Sequence, residues 1–582
     1  MSTLITPPAA DAPAAVYPLP KRSRSRRERF FQHVSQPGFT IGLVMLWVAL
    51  SPSLLPRTWW MHAVAVGLSV FVGYVVGELV GRLASWAARA IGLEIRVSAR
   101  AGWGLRWVWD VLLILVSIAV WWWSVRQQRA NADLVGLESG GNASMAVGVL
   151  AGLGLAILLL ALVRGVILLW RGMRHLARRL LPQVVASVLA TVLLVVGLVW
   201  VTNGVIYRRA MESALGSAAQ LNAQVPAGRE QPMEPERSGS PQSHQPWETL
   251  GRDGMAMVAD GPRAADIERV TGLSAIEPIR LYAGKQDNES VEEAAEAVLA
   301  EMARTDAFDR SVVHVTTATG TGFVQGWSVA SVEYLTRGDV ATVSMQYSYF
   351  SSALAYATDR TTPVQAGKAL FDAVYAEWSA LPEDDRPMLV VSGESLGSYG
   401  GQGAFDSLDE MLSKVDGAVW SGTPRFTPLW SELTEDRRAG SPEIAPVVDN
   451  GRHVRFVTRP EELNHDVYGA PYVAWETPRV VYAQHASDPI VWWEPEMLWA
   501  EPDWMRERAG RDVPGALRWI PWVSFWQFGV DMPLSVSTPG GHGHHYFEEM
   551  TPYWAAVLGQ DPTDTDRLRP IQAALTADFR PR

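Results

Sequence analysis

The sequence predicts an all-α transmembrane helical bundle of about five spans, followed by an α/β domain built on a mostly parallel sheet. Three observations predict it. Long apolar stretches are confined to residues 1–209, the charge changes sign at that point, and short β-rich runs alternate with helical patterns beyond it. Residues 1–209 carry 21 Lys and Arg against 7 Asp and Glu, whereas residues 210–582 carry 29 against 54. The 582 residues include 26 tryptophans and no cysteine, and 48% are apolar. That composition is too apolar for a disordered chain, and the absence of cysteine excludes a disulfide framework, thiolate metal sites and a cysteine nucleophile. A formal charge of −11 leaves no basic footprint for nucleic acid, so no nucleic-acid partner is expected.

The predicted spans are 39–55, 61–79, 107–125, 144–163 and 182–206, each with few or no charges. About 20 apolar residues in a helix cross a hydrocarbon core of about 30 Å. Short cytoplasmic loops collect arginine, and the richest segments are 21–29, the loop with Arg82, Arg89, Arg96, Arg100 and Arg106, and the loop with Arg171, Arg174, Arg178 and Arg179. Residues 1–38 are therefore read as a basic cytoplasmic segment, 39–209 as the transmembrane domain in the plasma membrane, and the chain beyond as extracytoplasmic. Gly73, Gly77 and Gly81, like Gly148 and Gly152, repeat at four-residue spacing and let helices approach closely. Packing within one chain is the first reading of these faces, a homo-oligomer the second; membrane lipids are expected around the rest. Residues 210–246, rich in Ala, Gln, Pro, Ser, Gly and Glu, are read as a flexible linker.

In 247–582, strands are predicted at 278–282, 312–317, 341–347, 388–392, 418–421, 454–457 and 480–484, with helices at 291–303, 363–380 and 400–412. Alternation of this kind builds a parallel sheet covered on both faces, with its site at the carboxyl ends of the strands.

After the strand at 388–392 comes Gly393-Glu394-Ser395-Leu396-Gly397 and then a helix-like stretch, which is the order a nucleophile elbow requires. Ser395 is the expected nucleophile, and the Leu396 amide at the helix start can face an oxyanion. A serine hydroxyl needs a base oriented by a carboxylate, and in this architecture the chain order is serine, acid, histidine. Asp488, just past the last strand, is the expected acid, although Asp followed by Pro489 is also an ordinary helix N-cap. The glycine-rich loop Gly540 to Tyr546 supplies His544 as the first choice of base, His542 as the second and His545 as the third. His314 and His485 are read as structural. Gly320 or Thr321, after the strand at 312–317, are the expected second oxyanion donors. The glycines of that loop fit neither a P-loop nor a dinucleotide fingerprint, so no cofactor is expected, and the clustered histidines lack acidic partners at metal-ligand spacing, so no metal is expected. Seven tryptophans between Asp488 and His542 read equally as core packing and as an apolar lid.

The chain resembles the actinobacterial membrane-anchored alpha/beta-hydrolases. The resemblance is carried by Ser51 to Arg57 (Ser-Pro-Ser-Leu-Leu-Pro-Arg), Arg304 to Arg310, Thr319 to Gly322, Gln346 to Ser348, Gly393 to Gly397 and Gly541 to His544. It departs at Ser421 to Pro424, which reads Ser-Gly-Thr-Pro where a Gly-Pro-Pro-like turn is expected. The resemblance implies an alpha/beta-hydrolase domain with Ser395 as nucleophile, acting on esters of envelope lipids or glycolipids. Hydrolysis and acyl transfer both stay open. The alternative from another class is a membrane scaffold that binds envelope lipid or a protein partner without turnover.

Overall fold

The structure is a computed structural model that describes residues 35–92, 99–286, 288, 290–507 and 510–579. The basic stretch 21–29 and Arg96 lie outside the described residues.

Among the described residues five helices form the N-terminal bundle: α1 (Gln36–Ala49), α2 (Trp59–Ala90), α3 (Ala99–Leu134), α4 (Gly141–Ala177) and α5 (Gln183–Asn222). The last four contain stretches long and apolar enough to cross a membrane. The first does not reach that length, because 14 residues rise only about 21 Å. The expected first span ran on to residue 55, but the helix stops at Ala49. Pro52 and Pro56 lack the amide a helix needs, and Ser51 to Arg57 turn away to meet the second domain. Large apolar side chains such as Leu112, Leu115, Val188 and Leu193 point outward and stay exposed. So wide an apolar surface marks a contact with lipid or protein.

The glycine repeats are filled within the chain. A Cβ on Gly73 would lie 2.6 Å from Met45, and one on Gly77 would lie 2.4 Å from the Pro37 carbonyl, so α1 packs antiparallel to α2. Gly148 and Gly152 meet Trp59, His62, Ala63 and Val66, so α4 runs parallel to α2. These faces are taken by the chain's own helices. The carboxyl ends of α1, α3 and α5 and the amino ends of α2 and α4 share one end of the bundle, and the second domain sits there.

That domain contains strands β1 (Ile279–Ala283), β2 (Val312–Thr317), β3 (Val340–Met345), β4 (Met388–Glu394), β5 (Gly417–Ser421), β6 (Val454–Val457) and β7 (Arg479–Ala483). They form one sheet in the order β1-β3-β2-β4-β5-β7-β6, with every pairing parallel. Both faces are covered, which is why the strands read as unbroken apolar runs. Helices α6 (Val291–Arg304), α7 (Gly326–Leu335), α8 (Ser352–Thr358), α9 (Thr362–Ala380) and α10 (Leu396–Gln402) follow in the chain, and α11 (Val523–Ser535) and α12 (Met550–Val557) come after the sheet. Val298, Leu370 and Phe371 from α6 and α9 pack on one face, and Trp327, Tyr553 and Trp554 from α7 and α12 on the other.

The expected flexible linker is ordered. Helix α5 continues to Asn222, and residues 236–238 pair with the edge strand: Ser238 N–H donates to the Arg280 carbonyl at 2.9 Å and Arg280 N–H to that of Glu236 at 3.1 Å. The buried Arg237 guanidinium holds the segment by donating to the carbonyls of Val258, Asp260 and Pro262. Composition missed this because the anchor is one arginine spanning several carbonyls and has no period.

The tryptophan-rich insertion builds core and junction. Trp492, Trp504 and Phe528 join the core on the α6 and α9 face, while Ile520, Trp522 and Val523 pack against Ala49, Leu50, Val66 and Val125 of the bundle. Leu54, Leu55 and Val135, from bundle loops, enter the core of the second domain in return. At the centre Asp531 accepts from Ser53 Oγ and, at 3.2 Å, from Leu55 N–H, while Gln527 Nε2 donates to the Ala49 and Ser51 carbonyls at 3.2 Å.

Candidate active site

One residue, Ser395, joins β4 to α10. Its backbone sits at φ 55°, ψ −122°, a region that costs a non-glycine residue about 1–3 kcal/mol and persists only where the surroundings enforce it. Here they do. The Ser395 N–H donates to the Ser421 carbonyl at 2.9 Å. A Cβ on Gly393 would lie 2.5 Å from Gly397, and one on Gly397 would lie 2.3 Å from the Thr317 carbonyl. Both glycines of the motif are therefore demanded by close backbone approach. The Leu396 amide opens α10, where the first N–H groups have no partner inside the helix.

Asp488, fully buried, combines the two roles the sequence left open. Its Oδ1 accepts from Ile490 N–H at 2.9 Å as an N-cap, and its Oδ2 accepts from His544 Nδ1 at 2.6 Å and from the Tyr546 hydroxyl at 2.9 Å. With Nδ1 donating to the carboxylate, a neutral His544 keeps Nε2 free to accept a proton. The ring lies against Gly422, where a Cβ would come within 2.5 Å of His544 Cε1. Gly422 directly follows the residue whose carbonyl holds the Ser395 amide, so serine and imidazole flank the same Ser421–Gly422 step. The Ser395 hydroxyl makes no hydrogen bond to the ring in this structure. Burial lowers the His544 pKa, but the charge and hydrogen bond of Asp488 outweigh it and the net shift is upward.

The other histidines have partners of their own. His542 Nδ1 faces Asp512 Oδ2 at 3.4 Å with its side chain 30% exposed, and His545 Nδ1 donates to the Thr538 carbonyl. His485 meets Glu549 at 3.1 Å and the Gly543 carbonyl at 2.8 Å, stacked on Tyr546, so it braces the histidine loop. His314 is buried between Ser392 and Thr342, its pKa lowered by burial to about 3. Asp512 and Glu549 went unnoticed in the sequence, and Tyr546, the last residue of the loop, was given no role there. Among the described residues no group of His, Asp and Glu is arranged to hold a metal ion.

The expected second oxyanion donors, Gly320 and Thr321, lie in the loop after β2. The loop after β2 closes in a turn, Gly322 N–H to Thr319 O at 2.9 Å. Gly320 is pressed against Phe350 and Ser352, and Thr321 is held by Asp253 and Gln346. The part of the loop touching the elbow is Thr317 and Ala318, beside Gly397. Gly320 and Thr321 are the two central residues of that turn.

Behind the elbow a cavity of about 10 Å³, room for about one water, is lined by Thr317, Gln325, Ser392, Glu394 and Ser421. Glu394 Oε2 is sealed from solvent without a hydrogen-bond partner. Desolvation pushes this carboxyl up to about 7 against the opposing charge of His544.

Two family models match the chain. One described as "Alpha/beta-hydrolase family" covers residues 279–570, and one described as "Alpha/beta-hydrolase family N-terminus" covers residues 50–262. None of the curated proteins matches. Among solved structures, a Trichoderma reesei cutinase in complex with a phosphonate inhibitor aligns at 14% identity, over 47% of this chain and 98% of that one, with a TM-score of 0.18. The parallel sheet, the strand–serine–helix elbow and the late histidine agree with the family match: the chain belongs to the alpha/beta-hydrolase family.

Proposed function

We propose that the protein is a membrane-anchored serine hydrolase of acyl esters. The observation that carries this reading is the His544–Asp488 pair lying against Gly422, one peptide step from the carbonyl that holds the elbow serine. In the mechanism Ser395 Oγ attacks the ester carbonyl carbon while His544 Nε2 takes its proton. Asp488 and Tyr546 fix the ring and favour the imidazolium. The Leu396 amide, at the positive end of α10, stabilises the oxyanion. Collapse breaks the bond to the alcohol, which leaves with the proton from His544. Water then releases the acid by the same steps in reverse, or a sugar or lipid hydroxyl accepts the acyl group.

The bundle supports a plasma-membrane location. Four of the described helices are long and apolar enough to cross, and we count α1, packed antiparallel on α2, as a shortened fifth pass, which makes the number of passes odd. Together with the arginine-rich loops, this favours a cytoplasmic N-terminus and an extracytoplasmic site. Envelope lipids or glycolipids of the kind found in actinobacteria are the proposed substrates. The full-length protein in detergent, assayed on p-nitrophenyl butyrate, should turn over, and Ser395→Ala should not. Equal rates for the two proteins would remove this reading.

A further inference from the structure

Resting on that reading, the structure points to where the substrate's hydrocarbon chain lies. A cavity of about 280 Å³ opens between α5, the last apolar helix of the bundle, and the segment after β3. Its apolar wall includes Leu215 from α5 together with Tyr349, Phe350, Ala355 and Pro363, and its polar edge includes Lys285. None of the tryptophans of the 489–530 insertion lines it.

Three features tie this cavity to the elbow and to a ligand. The wall is packed on the catalytic machinery: a Cβ on Gly400, in α10, would lie 2.5 Å from the Pro363 carbonyl, and the Tyr399 hydroxyl donates to the Arg360 carbonyl at 3.1 Å. The Phe350 carbonyl abuts Gly320 in the loop beside the elbow. Tyr347, 3% exposed, lines the cavity with its hydroxyl lacking any hydrogen-bond partner. A buried hydroxyl left unpaired costs about 1–3 kcal/mol, which a ligand oxygen would recover. The mouth is set by Leu215, 46% exposed on a helix continuous with the proposed span and about 13 Å beyond its expected end at residue 206, within reach of a long acyl chain whose head has left the bilayer along α5.

We propose that this cavity binds the hydrocarbon chain of a lipid ester drawn from the adjacent leaflet, with the Tyr347 hydroxyl donating to an oxygen of that lipid. The cavity selects long-chain amphiphiles, whereas short esters reach Ser395 without it.

The test uses full-length protein in detergent micelles with p-nitrophenyl butyrate and p-nitrophenyl palmitate, and a fatty-acyl ester carrying a photoreactive diazirine in its chain. Leu215→Trp, at an exposed position, narrows the mouth without disturbing the core. Its palmitate kcat/KM is expected to fall at least tenfold while its butyrate kcat/KM stays within twofold. Crosslinks are expected on the peptides bearing Leu215 or residues 345–363, whether or not the lipid is turned over. Parallel changes for the two esters, or crosslinks confined to other parts of the chain, would overturn the proposal. Wild-type protein that turns over neither ester would instead defeat the esterase reading, and crosslinking alone would then decide the cavity.

Discussion

Two carboxyls, Asp531 at the junction with the bundle and Glu394 beside the elbow, are both pushed up to about 7 by desolvation, yet their surroundings differ. Asp531 is fully buried, accepts from Ser53 and Leu55, and faces Arg57. Glu394 makes no hydrogen bond to the protein, borders a water-sized cavity, and faces His544. A polar group whose bonds run to a second domain fastens the two together. One left without such bonds next to an imidazole can change its charge during a reaction cycle. On the proposed function the junction serves stability and the elbow serves chemistry, so substitutions at the two places should differ in the same way.

The largest effect is expected at the elbow. Ser395→Ala should lower kcat by roughly 10⁵-fold or more and Asp488→Asn by about 10⁴-fold, with the melting temperature of the first little changed. Ester turnover and thermal melting measured on the same preparations check both. His542→Ala should cost less than about threefold in kcat/KM, since His542 bonds Asp512 and not Asp488; a loss near that of Asp488→Asn would make it the base.

At the junction the order reverses. Asp531→Ala orphans Ser53 and the Leu55 amide at about 1–3 kcal/mol each, so stability should fall by about 2–6 kcal/mol with kcat at low temperature nearly unchanged. Denaturant melts of the detergent-solubilised protein read this out. A lost kcat with unchanged stability would erase the distinction between the two regions.

The smallest effect is a shift in pH dependence. As the proposed base, His544 would work as neutral imidazole, and its pKa is raised above the ordinary value, so activity should rise with pH through that raised pKa. Glu394 ionises near 7 and its negative charge holds the proton on His544. Glu394→Gln removes that charge, so the acidic limb of the kcat/KM profile should move to lower pH by a few tenths of a unit. A limb moved to higher pH, or not at all, would show that Glu394 does not act on His544.

How much of this was legible follows from where each feature is encoded. The seven strands and the elbow are local: apolar runs bounded by turns, and a serine between two glycines that close backbone contacts require. Asp488 and His544 were chosen by chain order, and the structure brings the two together at 2.6 Å. Asp531 carries no local signal of its role, because its partner Ser53 is 478 residues away in the chain. The short α1 and the ordered 210–246 segment were misjudged for the same reason. The hydropathy of residues 39–55 does not reveal that their last turn is needed by the other domain, and a polar composition does not reveal that Arg237 ties it to carbonyls.

The central claim is that His544, oriented by Asp488, activates Ser395. Fluorophosphonate labelling of the full-length protein, mapped by peptide mass spectrometry, tests it most directly. The label should fall on Ser395 and be slowed by orders of magnitude in His544→Ala, which leaves the serine in place. Label on a different serine, or an unchanged rate in that variant, would contradict the claim.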